Sequence, residues 1–174
     1  MMNPNDVYVF DATALIDLHN HFPKSFRKLR KYVSNGQVKI PEGVYREIKR
    51  KSDKLRKYVE RWEIEHQFVI AIKNDIKLVN EFGRIEQSYG EKINVGDKVY
   101  PGFWKSPAGR KAADGQVVVI GKVYKYTVVS DDRAVRYACL SENVQCIGWP
   151  ELARRVGLAG NNQISLDFEW KDTE

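Results

Sequence analysis

The stretch from Val7 to Ile16, VYVFDATALI, decides the fold. Val7 to Phe10 is an apolar, β-rich run of the kind that makes a buried strand, and it stops at Asp11. Beyond Asp11, Ala14, Leu15 and Leu18 recur at helical spacing. A strand therefore hands over to a helix through a single carboxylate. Working outward, the alternation repeats. Pro23 closes the first helix, and Lys24 to Ser34 reads as a second, with Phe26, Leu29, Tyr32 and Val33 inward and Asn35-Gly36 as its stop. Gln37 to Ile40 reads as a strand, and Pro41 suits a first helical position, where its missing N–H is not needed. Val44, Tyr45 and Ile48 face the core from that helix. Ser52-Asp53 restarts a basic helix to about Trp62.

Phe68 to Ile72 reads as a third strand. Asn74 is placed to cap a helix over Ile76 to Tyr89, with Ile76, Val79, Phe82 and Ile85 as its apolar residues. Gly90 to Arg110 reads as a long loop holding Tyr100, Phe103 and Trp104. Ala112 to Val123 is expected to be helical, although three adjacent valines would by local propensity form a strand. Tyr126 to Ser130, Asp132 to Leu140, Val144 to Ile147 and Pro150 to Val156 continue as strand, helix, strand, helix. Strands alternating with helices predict an α/β fold, a three-layer α/β/α sandwich with a central parallel sheet of four to five strands. One domain over residues 1–158 is expected, followed by a short acidic tail over 159–174.

The bulk numbers agree with one folded domain. A chain of 174 residues, 43% hydrophobic and 30% charged, can bury about 70% of its unfolded surface. Its longest strongly apolar run, Val117 to Ile120, is far short of a membrane span. The first residues carry no basic cluster followed by a long apolar stretch. Two cysteines, Cys139 and Cys146, are too few for a disulfide scaffold and fit no common zinc spacing, so they read as free thiols in a reducing cytoplasm.

The net charge of +6 is unevenly spread. Between Lys24 and Arg61 stand 14 Lys or Arg against 4 Asp or Glu, whereas the rest of the chain holds 15 against 19. A concentrated basic face suits a polyanion, because phosphate neutralisation releases condensed counterions. It also suits a solvated helical face.

In open parallel sheets, ligands bind beyond the carboxyl ends of the strands, where the strand order reverses. Asp11 ends the first strand, Glu47 lies on the helix after the second, Asp114 opens the helix before the fourth, and Asp131 and Asp132 follow the fourth. Carboxylates gathered there repel one another unless a cation stands between them. Mg²⁺ and Mn²⁺ are hard ions that take oxygen ligands and complete their shells with water and phosphate oxygens. Each acid also has a structural reading: Asp11, Asp114 and Asp131 (or Ser130) as helix caps, and Glu47 as a solvent-facing helix residue.

Taken together, these segments resemble the PIN-domain nucleases. Val-Phe-Asp11-Ala-Thr13-Ala-Leu-Ile is similar to that family's opening, Ile40-Pro41 with Val44-Tyr-Arg-Glu47-Ile to its second acidic motif, Ala112-Ala-Asp114 to its third, and Val128-Val-Ser130-Asp-Asp132 to its fourth. The resemblance spans roughly Val7 to Leu158. Two features depart from it: a long interval separates Glu47 from Asp114, and Gly115 weakens the helix that Asp114 opens. The resemblance implies a nuclease using Mg²⁺ or Mn²⁺ to hydrolyse RNA, often a homodimer and often the toxin beside an antitoxin-like partner. Carried over by position, Asp11, Glu47 and Asp114 would ligate metal, with Asp132, or Asp131 in its place, as the fourth acid. Thr13 and Ser130 would orient the acids by hydrogen bonds. Lys49, Arg50, Lys51 and Lys54 on the basic helices, with Lys105 and Arg110 in the long loop, are the candidates to grip nucleic acid.

Other classes fit less well. An aspartyl-phosphate phosphatase needs a second Asp where Thr13 stands, and no phosphate-cradling glycine loop follows the first strand. His19 and His21, two residues apart, do not share a helix face and read as helix-end residues. The non-enzymatic rival is an RNA-binding module using the basic 24–61 face, its carboxylates only capping helices.

Overall fold

A computed structural model describes residues 5–51, 53–90, 93–95, 97–100 and 113–159; of residues 51, 53, 93–95 and 98–100 it describes the backbone alone. Five strands, β1 (Tyr8–Phe10), β2 (Val38–Pro41), β3 (Val69–Ile70), β6 (Thr127–Val129) and β7 (Cys146–Ile147), form one parallel sheet in the order β3-β2-β1-β6-β7. Tyr8 pairs with Val38 on one side and with Thr127 on the other. Strand β1 is thus central, with all three of its residues fully buried, as a strand covered on both faces requires. The expected α/β sandwich with a parallel sheet is what the chain forms.

Helices α1 (Ala12–His21), α2 (Leu29–Ser34), α3 (Glu42–Lys51), α4 (Asp53–His66) and α8 (Trp149–Arg155) pack among themselves, as do α5 (Ile76–Ile85), α6 (Asp114–Tyr124) and α7 (Arg133–Ser141). Helix α6 also packs on β1, β2 and β6. Its Val117, Val118, Val119 and Ile120 are all fully buried. A helix enclosed all round is apolar all round, so burial overrides the strand propensity of its valines. Under α4, Trp62 stacks on Phe26 with ring centroids 5.4 Å apart and meets Phe68 edge-on at 6.0 Å. That cluster fixes α4 over the second strand connection.

Four expectations are corrected. Residues 24–34 are a short 3-10 turn, Phe26–Lys28, followed by α2, not one helix. The cap of α5 is Asp75, whose carboxylate accepts the Lys77 N–H at 2.8 Å and the Tyr124 hydroxyl at 2.7 Å, so Asn74 falls in a preceding turn. The buried face of α5 is Leu78 and Ile85 with Phe82 half-buried, whereas Ile76 is 69% exposed. Steps of three residues each fall about 60° short of a full turn, so Ile76 and Ile85 lie on opposite sides. Within the stretch read as loop, β4 (Ile93–Val95) and β5 (Lys98–Tyr100) form an antiparallel hairpin too short for its alternation to register in the sequence. Residues 101–112 and 160–174, with Lys105, Arg110, Phe103, Trp104 and nearly all of the tail, lie outside the described residues. Among the described residues, no helix is long and apolar enough to cross a membrane.

After α5 the chain makes a wide π turn, Glu86–Gly90. It is held by Glu142 at the end of α7. The Glu142 carboxylate accepts from Tyr89 Oη at 2.7 Å and also from Arg84 and Lys122. Burial alone would raise this carboxyl, but the hydrogen bonds from Arg84, Lys122 and Tyr89 outweigh burial and hold it at about 2. A carboxyl depressed from 4.5 to about 2 in the fold contributes stability that is fully present above 4.5 and is lost as pH falls through about 2. Glu142→Gln is expected to lower stability by about 1–3 kcal/mol at pH 7. In urea melts it should also flatten the decline between pH 4.5 and 2. An unchanged acid limb would show that the cluster contributes nothing net.

Candidate functional site

The sheet order reverses between β1 and β6, and the acids lie beyond the carboxyl ends of those two strands. Asp11 follows β1 directly; its N–H donates to the Val129 carbonyl of β6 at 3.1 Å. The carboxylate is only 3% exposed. Its Oδ1 accepts the Ala14 N–H at 2.6 Å, capping α1, while Oδ2 accepts from the Ser130 hydroxyl just beyond β6. Ser130 is fully buried, and its Oγ in turn accepts the Asp132 N–H at 3.1 Å. One hydroxyl thus joins the first acid to the backbone of the last. Thr13, expected to share that orienting role, is exposed and makes no hydrogen bond to any acid among the described residues. The Ala14 N–H takes its place.

Asp132 caps α7, its Oδ1 accepting the Val135 N–H at 3.0 Å, and is exposed. Asp131 turns elsewhere. It accepts the Trp149 N–H at 2.9 Å and faces Arg136 Nη1 at 3.7 Å, fastening α8 and α7 together. Of the two candidates for the fourth acid, Asp132 is the one whose carboxylate is not engaged by another element.

Asp114 is the first residue of α6 and does not cap it, because the cap position is Ala113 and carries no side-chain hydrogen bond. Helix α3 approaches α6 through Gly43. Its N–H donates to Gln116 Oε1 at 2.9 Å, and a Cβ there would stand 2.7 Å from the Ala113 Cβ. Glu47 lies one turn further along the same face of α3, where its charge acts on Asp114.

The electrostatics of the cluster report crowding. Burial raises the Asp11 carboxyl to about 6 against the lowering hydrogen bonds from Ser130 and Ala14, with Asp132 and Asp131 adding to the rise. Asp114 is raised to about 7, first by burial and then by Asp132, Asp11, Glu47 and Glu86. Glu86 is a fifth acid, which the sequence reading missed. It lies at the start of the π turn, and its Oε1 fills the notch left by Gly115, 2.1 Å from where a Cβ would be. Gly115 in the first turn of α6, an unfavourable choice for the helix, was the one sequence signal that something needed that space. Arg136, between Asp131 and the Ser130 carbonyl, is a second unforeseen neighbour.

The donor set suits a hard divalent cation. All of its side chains are carboxylates, and two of them, the buried Asp11 and the half-buried Asp114, are held above their ordinary range by desolvation and by neighbouring acids, strain that a cation between them would relieve. Among the described residues, no three Asp, Glu, His or Cys side chains form a ready-made metal cage.

The basic face is partly self-neutralised. Arg30 pairs with Glu65 at 3.0 Å, and Glu60 takes Arg56 at 2.9 Å and Lys49 at 3.8 Å. Arg50 and Lys54 are exposed, and Arg50 is three residues beyond Glu47, on the neighbouring face of α3. The histidines are packed structurally: His19 meets Phe26 edge-on at 5.0 Å, and His21 stacks on Trp149 at 4.6 Å.

Fold and site together define a doubly wound α/β domain with carboxylates drawn together at its switch point. The chain belongs to the family described as a domain of unknown function, DUF4411, whose profile matches residues 8–158. It is also similar to a solved structure, PAE2754 from Pyrobaculum aerophilum, at 13% identity over 88% of this chain and 98% of that one, with a TM-score of 0.46. No curated protein matches the chain.

Proposed function

We propose that this protein is a Mg²⁺- or Mn²⁺-dependent ribonuclease of the PIN type, with Asp11, Glu47, Asp114 and Asp132 as its metal-holding acids. One observation carries the reading: acids from four separate places in the chain act on one another at the switch point, where Asp11 is buried and Asp114 half-buried at an electrostatic cost. A divalent ion bound there supplies charge neutralisation at the phosphate and activation of water. The chain's own residues do the rest. Ser130 and the Ala14 N–H fix the Asp11 carboxylate, Gly43 and Gln116 bring Glu47 to Asp114, and Arg50 offers a cation to a phosphate beside them. Asp131 supports the site through α8. A toxin's role, with an antitoxin-like partner and a homodimer, belongs to the same proposal.

The rival is an RNA-binding module, favoured by the fact that Asp11 and Asp132 both cap helices. A labelled single-stranded RNA incubated with Mn²⁺, Mg²⁺ or chelator separates the two. Cleavage is expected with either ion and none with chelator, and binding should weaken steeply with salt. Cleavage that persists in chelator refutes the metal mechanism. RNA bound without cleavage under every condition supports the rival.

A further inference from the structure

A second hollow lies between edge strand β3, the start of α5 and the end of α6. It is a groove of about 700 Å³, room enough for a small ligand or a short run of peptide. Val69, Ile70, Ala71 and Ile76 give it apolar walls, and Tyr124 and Tyr126 add two rings tilted against each other at 5.4 Å. Ile76 is 69% exposed and Val79, one turn on along α5, is 40% exposed, so the apolar surface continues past the groove. The acids here are already engaged: Asp75 accepts the Lys77 N–H and the Tyr124 hydroxyl, and Glu63 accepts the Val69 N–H at 2.8 Å. The cations outnumber them. Lys39 lines the groove, its Nζ donating to the Gln67 carbonyl at 3.4 Å, and the exposed Lys73, Lys77 and Lys125 each adjoin a lining residue in sequence. Apolar walls with a lysine rim call for an occupant in which apolar and acidic groups alternate.

The chain carries such a segment outside the described residues. Residues 164–170 read ISLDFEW, with Ile164, Leu166, Phe168 and Trp170 alternating with Ser165, Asp167 and Glu169. In an extended segment successive side chains point to opposite sides, so the four apolar groups share one side and both carboxylates the other. Ala159, the last described residue, follows α8, whose Arg155 donates to Tyr8 Oη at 3.1 Å. Tyr8 pairs with Thr127, the residue after Tyr126. The described chain therefore ends near the end of the sheet where Tyr126 walls the groove, and the steps from Ala159 to Ile164 span up to about 17 Å. We propose that this groove is the docking site of the chain's own residues 164–170, with the apolar side inward and Asp167 and Glu169 towards the rim lysines. Single-stranded RNA is the rival occupant and fits less well, because the walls are largely aliphatic and Asp75 and Glu63 repel phosphate. The inference does not depend on the nuclease reading, since Asp114 starts α6 and the groove lies at its other end.

The test uses the full-length chain, treated with a carbodiimide that joins lysine to carboxylate without a spacer, then digested and mapped by mass. Links within one chain are expected from Asp167 or Glu169 to Lys39, Lys73, Lys77 or Lys125. Ile76→Asp and, separately, Trp170→Asp should each reduce them at least about tenfold and speed amide hydrogen exchange over residues 69–76 and 124–126. Ile64→Asp, which puts the same charge on an isoleucine 83% exposed on α4, should change neither readout. No links from Asp167 or Glu169, links to Lys49, Lys54 or Lys57 of the basic helices instead, links between chains only, or links indifferent to Ile76→Asp would overturn the proposal. So would RNA photocrosslinked to Tyr124 or Tyr126 while residues 164–170 link elsewhere. The wild-type map decides even if a variant fails to fold.

Discussion

Asp114→Asn is expected to melt at a higher temperature than the wild type at pH 8 without divalent ions, and to cleave RNA on the order of 100-fold more slowly, or worse, with Mn²⁺. Both effects have one cause. The Asp114 carboxyl stands at about 7 in the fold and at its ordinary 3.8 when unfolded. Below pH 3.8 both states hold the proton, and stability is at its fullest. As pH rises towards 7 the unfolded chain ionises while the folded one resists, so stability falls, and above 7 it levels off. Asp11, raised to about 6, adds a second decline over a similar range. An amide at 114 removes the larger one and strips no helix of its cap, because Asp114 caps nothing. The gain should be roughly 1–3 kcal/mol at pH 8, discounted from the full shift because neutralising one acid also relieves the others. Urea melts of the metal-free protein from pH 4 to 8 give the slope directly. Mn²⁺ should restore wild-type stability and leave Asp114→Asn nearly unmoved. A variant that is less stable at pH 8, or one that keeps its activity, would remove Asp114 from the site.

Asp11→Asn makes a less clean experiment, and the reason lies in its hydrogen bonds. Its two oxygens serve Ala14 and Ser130, and an amide can accept from only one of them without turning the other. Activity should fall as far as in Asp114→Asn, but the stability gain should be smaller. The contrast separates the cap that Asp11 provides from the charge it carries.

What the sequence made legible follows from which interactions are local. Asp11 and Ser130 could be placed because each ends an apolar run, and chain order alone puts both at one edge of a parallel sheet. Asp132 and Asp131 could not be told apart, since the distinction is made by Trp149, a residue on another helix. Thr13 lost its expected role to a backbone N–H because the turn into α1 leaves its side chain outside. The buried face of α5 was misread because a three-residue spacing mimics a helical stripe over short distances only. Glu86 was invisible because its position depends on a π turn pinned by Glu142 and on a notch in α6, both set by tertiary packing. The basic stretch looked stronger in sequence than in space, where Glu60 and Glu65 neutralise part of it.

Three of the helical glycines, Gly43, Gly83 and Gly115, should respond to alanine in three different ways, although helix propensity alone predicts a gain of about 0.5–1 kcal/mol for each. At Gly83 a Cβ meets nothing within 4 Å, so Gly83→Ala should show that gain and unchanged Mn²⁺ binding. At Gly115 the new Cβ would strike Glu86 Oε1 at 2.1 Å. That atom is the end of a flexible side chain, so stability should change by less than about 1 kcal/mol while Glu86 swings off Asp114 and Mn²⁺ affinity falls about tenfold. At Gly43 the Cβ would stand 2.7 Å from the Ala113 Cβ and 2.8 Å from Gln116 Oε1. Ala113 is the cap of α6 and cannot yield without moving the helix that starts at Asp114. Gly43→Ala should therefore lose about 1–3 kcal/mol despite the better propensity. By driving α3 from α6 it should also part Glu47 from Asp114 and weaken Mn²⁺ binding more than Gly115→Ala does. Chemical melts give the stabilities, and Mn²⁺ titration followed by electron paramagnetic resonance gives the affinities. Should all three behave like Gly83→Ala, the close approach of α3, α6 and the π turn would not be what assembles the acids. If Gly43→Ala lost stability yet bound Mn²⁺ as tightly as the wild type, Glu47 would stand outside the metal site, and Asp11, Asp114 and Asp132 would have to hold the ion alone.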